Sequence, residues 1–307
     1  MRIAVVGAGG VGGAYGAALA KAGADVTFIA RGAHLAAMKS QGLKVESPRG
    51  DTHLVPTQAT DDPKTVGAVD VVLFCVKLWD VESAGAAIEP LVGKDTAVIP
   101  LQNGVDASAR LAPILGKEAV MGGVANISAT IAEPGVIRQT GTVMRMVFGE
   151  LDGRPSARVE ALAAMCGKAG IDGVASPVIL TDLWMKFILL ASNASIMALT
   201  RLPVGKLRDD PDIAPWFTTA YEEVAAVGRA AGVALPADAV ERTLNFNRNA
   251  PPTLIPSMAV DLLRGNRIEL PWLSGKVVEL GRKHGVATPT HAFMYGMLKP
   301  YVMGKPA

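Results

Sequence analysis

The sequence has little of what disulfide-stabilised, metal-binding or nucleic-acid-binding proteins depend on. Only two of its 307 residues are cysteines, and Cys75 and Cys166 form neither a metal-ligand nor a redox motif. So few cysteines favour a reducing cytoplasm, and we expect no metal site. Charge is balanced, with 30 basic and 28 acidic residues, a net charge of +2 and no long block of one sign. The sequence therefore predicts neither a nucleic-acid nor an anionic-membrane partner.

Long hydrophobic runs are scarce as well. The most hydrophobic segment of the second half, residues 187–199, is shorter than a bilayer requires and is interrupted by Ser192, Asn193 and Ser195. At the amino terminus one cation precedes a run of alanine, glycine and valine, whose glycines disfavour the helix of a secretory signal peptide. The length indicates about two domains. We expect a soluble, cytoplasmic protein.

The first 31 residues hold the most informative pattern: a strand, a glycine-rich turn, a helix and a second strand. Residues 2–6 and 25–30 predict the strands. The turn between the first strand and the helix has the G-x-G-x-x-G spacing, in the context that gives this motif weight. Its glycines permit a tight turn and close approach to a pyrophosphate, which the helix N-terminus attracts. The predicted cofactor contacts in this turn are Gly7, Gly9, Gly10, Val11 and Gly12.

A cation follows the second strand, where NAD-binding proteins usually carry an acidic residue. Arg31 lies 19 residues after Gly12, near the position whose carboxylate binds the ribose 2′-hydroxyl of NAD. A cation suits a 2′-phosphate instead, so the sequence favours NADPH/NADP+ as the cofactor. Without the glycine turn, Arg31 would be an ordinary solvated residue at the end of a strand.

Strands and helices alternate through the first half of the chain. We predict strands at 69–76, 96–100 and 119–124 and helices at 81–89 and 106–115, which is typical of an open parallel sheet. Residues 136–139 and 144–150 predict an antiparallel hairpin, followed by a helix at 155–169 and a short strand ending at 175. From residue 179 the pattern is almost wholly helical. The predicted fold class is α/β, with a Rossmann-type parallel-sheet domain (1–177) before an all-helical domain (178–307).

Two polar residues follow predicted strands, at the edge where open α/β sheets bind ligands. Lys77 comes directly after the apolar strand 69–76, and Asn103 follows the strand ending at Pro100. A lysine there can reach a cofactor phosphate or ribose, and an amide can bond both cofactor and substrate. The alternative for each is the start of a polar loop.

Two further polar residues lie within the apolar helical segment. Lys186 is flanked by tryptophan, methionine and phenylalanine, so it is either a snorkelling surface residue or a buried lysine with a partner or a chemical role. Asn193, seven residues later, shares its helix face. It is either a substrate contact or a buried amide satisfied by backbone groups.

The last cluster comprises Ser257 and Asp261, spaced i, i+4, followed by Arg267 and Glu269. From spacing alone, Arg267 and Glu269 form an ordinary surface ion pair. Together with the earlier motifs, however, this cluster resembles the ketopantoate reductase (2-dehydropantoate 2-reductase) family. The resemblance spans nearly the whole chain and rests on the glycine turn, Arg31, Val76-Lys77, Gln102-Asn103-Gly104, Trp184-Met185-Lys186-Phe187, Ser257-Met258, Asp261 and Glu269.

The resemblance implies a Rossmann domain, a helical domain, a substrate cleft between them, and reduction of a 2-oxo acid by NADPH. By the same resemblance, Lys186 is the catalytic proton donor and Lys77 a further cofactor contact. Asn103 lies where cofactor and substrate meet, and Ser257 contacts the substrate carboxylate. Glu269 binds the substrate hydroxyl and is also among the cofactor contacts. Asn193 is the remaining candidate for substrate binding.

One position departs from the family pattern. Better-known members carry a substrate-contacting asparagine four residues after the catalytic lysine, whereas this chain has Leu190. We therefore expect a 2-oxo acid reductase, with ketopantoate as the leading substrate and a role in pantothenate and coenzyme A biosynthesis. The alternatives are the same chemistry on another 2-oxo acid, or a non-catalytic NADP(H)-sensing protein. The sequence leaves the oligomeric state open, a homodimer included.

Overall fold

A computed structural model describes residues 1–306, which fold into two compact units. The first unit comprises Met1–Gln102 and Asp106–Ile179, and the second comprises Asn103–Val105 and the chain from Leu180 onward. The strands are β1 (Arg2–Val6), β2 (Asp25–Ile29), β3 (Leu43–Glu46), β4 (Thr52–Leu54), β5 (Ala59–Thr60), β6 (Val69–Phe74), β7 (Val92–Pro100), β8 (Gly122–Glu133), β9 (Val136–Gly149) and β10 (Asp172–Ala175). The helices are α1 (Gly10–Lys21), α2 (Gly32–Gln41), α3 (Val81–Ala87), α4 (Ala107–Leu115), α5 (Ala157–Lys168), α6 (Ile179–Thr200), α7 (Ala214–Ala230), α8 (Ala239–Asn249), α9 (Ser257–Leu263), α10 (Ser274–His284) and α11 (Pro289–Leu298).

Two sheets make up the first unit. One is wholly parallel, in the order β5-β2-β1-β6-β7, with β1 central and its apolar residues buried. The other is mixed: β9 pairs with β8 antiparallel and with β3 and β10 parallel, and β4 pairs with β3. The predicted α/β class, with a parallel-sheet domain before a largely helical one, is confirmed.

The glycine-rich helix α1 contacts strands of both sheets. A Cβ at Gly16 would collide with Phe28 and Val5 of the parallel sheet, and one at Gly13 would collide with Ile137 of the mixed sheet. A β-carbon at Gly10 would strike the backbone of Ala129 in β8. The small residues of α1 therefore do more than shape the turn before it, because they let two sheets approach one helix.

The hairpin predicted at 136–150 is wrong. Residues Val136–Gly149 form the single strand β9, which pairs with Gly122–Glu133 along most of its length. Gly141, which lies between the two predicted strands of the hairpin, has φ +77° and lies where the register with β8 shifts. Its conformational freedom absorbs an irregularity in a long strand instead of reversing the chain. The strand predicted at 119–124 likewise begins later and runs longer, as β8.

In the second unit, α7 packs against α8, α10 and α11, and the most apolar helix is α6. Helix α6 begins at the predicted residue, Ile179, and has 22 residues, so by length and composition the whole helix could span a bilayer, although its segment 187–199 alone is too short. Within its apolar window 61% of the residues are buried inside the protein, as expected of a core helix. Its buried side chains include Phe187, Ile188 and Met197.

A polar network crosses the core of this unit. The carboxylate of Glu223 accepts hydrogen bonds from the backbone N–H groups of Thr290 (2.7 Å) and His291 (3.0 Å) at the start of α11. Nδ1 of His291 lies 2.9 Å from Ser274 Oγ, which lies 2.7 Å from Ser195 Oγ. Burial lowers the pKa of His291 to about 4, so its ring is neutral at physiological pH. These groups stabilise helix packing and carry no exposed reactive atom.

Candidate active site

The glycine turn of the first unit has the geometry of a dinucleotide-binding loop. Gly7 has φ +90°, and a Cβ there would lie 2.9 Å from backbone atoms of Cys75 and Val76. Above Gly9 there is open space, and α1 begins at Gly10 with no acidic side chain in its first turn. The first N–H groups of a helix lack intrahelical acceptors and carry the positive end of its dipole. The loop therefore fits a pyrophosphate, as the sequence predicts for residues 7–12.

Cationic side chains flank this loop at the carboxyl ends of the neighbouring strands. Arg31, just after β2, is 84% exposed, and its guanidinium lies 2.9 Å from the Asp80 carboxylate. Lys77, after β6, is exposed, with Nζ 5.6 Å from the centroid of the Trp79 ring. Since β2 and β6 are the two neighbours of β1, Arg31 and Lys77 lie on either side of the glycine loop.

His34 supports the same loop and was missed by the sequence reasoning. Its Nε2 lies 2.8 Å from the carbonyl oxygen of Ala8, and its Nδ1 accepts a hydrogen bond from the Gly135 N–H at 3.0 Å. The second contact requires an unprotonated Nδ1, so Nε2 carries the proton and donates to Ala8. Burial lowers the pKa of His34, which favours this neutral form. No local motif marks this residue, because Gly135 is 101 positions away.

In the second unit, the structure brings Lys186 and Asn103 together. Lys186 lies on α6, and its Nζ donates a hydrogen bond to Asn103 Oδ1 at 3.2 Å. This contact joins positions 83 residues apart, and it favours a partnered lysine over one that only snorkels to the surface. It also places the amide of Asn103 where it can orient the ammonium group.

The electrostatics of Lys186 suit a proton donor. Burial lowers the pKa of its ammonium group to about 8, and the charge of Glu269 opposes that effect. Glu269, only 6% exposed, lies just before a 3-10 turn, Leu270–Trp272. A lysine with this pKa is mostly charged at neutral pH yet gives up its proton more readily than an ordinary lysine.

The remaining substrate candidates fall in different environments. Ser257 is exposed at the first position of α9 and accessible to a ligand. Asn193 is 2% exposed; its Oδ1 accepts from the Tyr221 hydroxyl at 2.5 Å, and its Nδ2 donates to Asn247 Oδ1 at 3.0 Å. The structure thus departs from the prediction that Asn193 contacts substrate. It favours the alternative of a buried amide, satisfied here by side chains.

Comparison with known proteins gives matches across both units. A family model described as ketopantoate reductase PanE/ApbA matches residues 3–153, and the model of its C-terminal part matches residues 178–302. The 2-dehydropantoate 2-reductase of Mesorhizobium japonicum is 31% identical over 311 residues, covering 94% of each chain. The uncharacterized oxidoreductase YkpB of Bacillus subtilis is 29% identical, covering 98% of this chain and 99% of its own.

Comparison with solved structures gives similar folds over nearly the whole chain. The PanE/ApbA family ketopantoate reductase from Ralstonia eutropha superposes with a TM-score of 0.90 at 33% identity, covering 98% of each chain. A ternary structure of D-mandelate dehydrogenase with NADH and anilino(oxo)acetate also has a TM-score of 0.90 over 98% of each chain. At 21% identity, that likeness shows a shared fold.

Proposed function

The chain belongs to the ketopantoate reductase family, and we propose that it uses NADPH to reduce ketopantoate (2-dehydropantoate) to pantoate. Family membership, expected from the sequence motifs, is confirmed by matches to both family models and by relatives above 30% identity. The protein is accordingly an oxidoreductase of a soluble family that acts on 2-oxo acids with a nicotinamide cofactor. This outcome disfavours the non-catalytic sensor considered above.

The observation that carries the proposal is the half-buried ammonium group of Lys186, held by Asn103 and influenced by Glu269. When bound, a reduced nicotinamide supplies a hydride to the carbonyl carbon of the substrate. Lys186 then stabilises the developing negative charge on the carbonyl oxygen and donates the proton that completes the hydroxyl. Glu269 keeps the lysine protonated as water is excluded, and it accepts a hydrogen bond from the new hydroxyl.

The other contacts divide between the two units. Ser257 donates to the substrate carboxylate, and Asn103 orients both the substrate carbonyl and Lys186. In the first unit, the glycine loop takes the pyrophosphate, Lys77 contacts the cofactor, and Arg31 binds the 2′-phosphate of NADPH. In this role the enzyme would act in the cytoplasm and supply pantoate for pantothenate and coenzyme A biosynthesis.

Leu190 supports a second candidate substrate. It lies one turn after Lys186 on α6, is partly buried, and presents an alkyl group in place of an amide. A hydroxylated substrate gains no hydrogen bond there, whereas an apolar side chain gains burial. The alternative is therefore reduction of a 2-oxo acid with an apolar side chain.

A substrate panel tests both candidates. NADPH oxidation is followed with ketopantoate and with 2-oxo acids bearing branched alkyl or aryl groups, and kcat/KM ranks them. Leu190→Asn should raise kcat/KM for ketopantoate relative to the apolar acids if the second candidate is correct. Absence of turnover on every acid, with NADPH binding intact, would refute the proposed activity.

Lys186→Ala tests the chemistry itself. General acid catalysis is typically worth about 10²–10⁴ in rate, so kcat should fall at least about 100-fold. The matched control is Lys168→Ala, which removes an exposed lysine from α5. A loss below about tenfold would contradict the role of Lys186 as proton donor.

A further inference from the structure

The loops that follow β2 and β6 are joined by one ion pair. Arg31 Nη2 lies 2.9 Å from Asp80 Oδ2, across 49 residues of sequence. Because β1 lies between β2 and β6, this pair bridges the two loops that flank the glycine loop. The residue proposed to bind a cofactor phosphate is therefore already bound to a carboxylate of its own chain.

The local structure does not require the carboxylate of Asp80. Asp80 occupies the N-cap position of α3, where aspartate commonly accepts hydrogen bonds from the helix N–H groups. Here its side chain makes no cap hydrogen bond. The local hydrogen bonds of Asp80 involve its backbone: its N–H donates to Lys77 O, and its carbonyl oxygen accepts from Ser83 Oγ. Its side chain is 26% exposed, and the carboxylate instead contacts Arg31.

We infer that Asp80 sets the balance between NADPH and NADH by competing with the 2′-phosphate for Arg31. The inference rests on the proposed role of Arg31 as the 2′-phosphate contact. A phosphate monoester carries a charge of about −1.5 to −2 at neutral pH. To bind Arg31 it must displace the Asp80 carboxylate or share the guanidinium with it, and it then lies close to a second negative charge. NADH has no 2′-phosphate, so neither cost applies to it. Asp80 therefore lowers the affinity for NADPH relative to that for NADH, and the protein can still use NADH.

Asp80→Asn tests this inference because it removes the charge and keeps the size of the side chain. We expect the ratio of NADPH to NADH affinity, from fluorescence titration of the purified protein, to rise about fivefold at low ionic strength. The change should come from tighter NADPH binding, with NADH altered less than about twofold. Raising the salt to about 1 M shortens the Debye length to about 3 Å and should abolish most of the gain.

Two controls separate electrostatics from structure. Glu89→Gln makes the same change of charge at an exposed site beyond α3 and should leave the cofactor ratio unchanged. Exposed ion pairs contribute little to stability, so the melting temperature of Asp80→Asn should lie within about 2 °C of the parent. Should the asparagine variant fold poorly, Asp80→Ala is measured in the same way.

Arg31→Ala distinguishes failure of this inference from failure of the proposed function. Selective weakening of NADPH, together with loss of the Asp80→Asn effect in the Arg31→Ala background, supports the competition. Selective weakening of NADPH with no change of ratio in Asp80→Asn overturns the inference and leaves the phosphate contact standing. Equal weakening of both cofactors by Arg31→Ala overturns the phosphate contact, and the inference with it.

Discussion

If Lys186 is the proton donor, its lowered pKa should make the reaction strongly dependent on pH in a range where an ordinary lysine does not titrate. Burial sets this pKa at about 8, compared with 10.5 for a solvated lysine. With a pKa of 8, about 90% of the lysine is protonated at pH 7 and about 10% at pH 9. If Lys186 supplies the proton, kcat/KM for reduction should fall about ninefold between these two values. The reverse reaction needs the neutral amine and should become faster over the same interval.

The assay is steady-state NADPH oxidation at low oxo-acid concentration between pH 6.5 and 10.5, since kcat/KM reports the pKa values of the free enzyme. A profile that stays flat to pH 10 would refute the reasoning. Because the charge of Glu269 raises the pKa of Lys186, Glu269→Gln should move the fall to lower pH. Glu222→Gln, which neutralises an exposed carboxylate on α7, should leave the midpoint unchanged.

Stability should change with pH in the opposite sense. Between about pH 8 and 10.5 the folded protein has lost the Lys186 proton while the unfolded chain still holds it. The unfolded state therefore binds more protons, and the contribution of this group to the free energy of unfolding rises with pH. Urea unfolding of the parent and of Lys186→Met between about pH 8 and 10.5 measures this contribution, and the free energy of unfolding of the parent should rise relative to that of the variant. An equal change with pH in both proteins would show that another group is responsible.

Three further changes test other parts of the structure. His34→Ala should weaken NADPH binding in a fluorescence titration, whereas His34→Gln, which has both a donor and an acceptor, should restore part of it. Gly10→Ala should lower the melting temperature by several degrees and weaken NADPH binding, since its Cβ would collide with the backbone of β8. Glu223→Ala should lower the free energy of unfolding in urea by about 3 kcal/mol with kcat unchanged, because it leaves two buried N–H groups of α11 without acceptors.

Local patterns predict the parallel sheet well. β1 has the predicted bounds, and β2 and β6 end one and two residues before their predicted ends. These strands are short apolar runs between glycines and polar residues, so the flanking residues mark where each strand begins and ends. Strands β3 and β4 of the mixed sheet and the edge strand β5 of the parallel sheet were missed, because each has at most four residues, and β3 and β5 pair with strands distant in sequence. The register of such short strands is set by their pairing with other strands, so a single segment of sequence does not reveal it.

The candidate site shows the same division. The glycine loop and Arg31 follow a strand at fixed spacing, so their positions can be inferred from a single βαβ unit. The partners of those residues cannot, because Asp80 meets Arg31 and Asn103 meets Lys186 only after the chain has folded. An aspartate at an N-cap position is expected to cap its helix. The Asp80 carboxylate makes no cap hydrogen bond and forms an ion pair with Arg31 instead.

Helix α6 places its polar groups in an order that bears on the substrate. After Lys186 comes the alkyl side chain of Leu190, and the next amide, Asn193, is hydrogen-bonded to Tyr221 and Asn247 inside the unit. Removing that amide would leave a buried hydroxyl and a buried amide unsatisfied, at a cost of about 1–3 kcal/mol each. Asn193 is therefore held in place by folding, and α6 offers a substrate one cationic group followed by an apolar surface. Residues outside this helix must then recognise any hydroxyl group on the substrate. If no such residues contact it, an apolar 2-oxo acid is the favoured substrate.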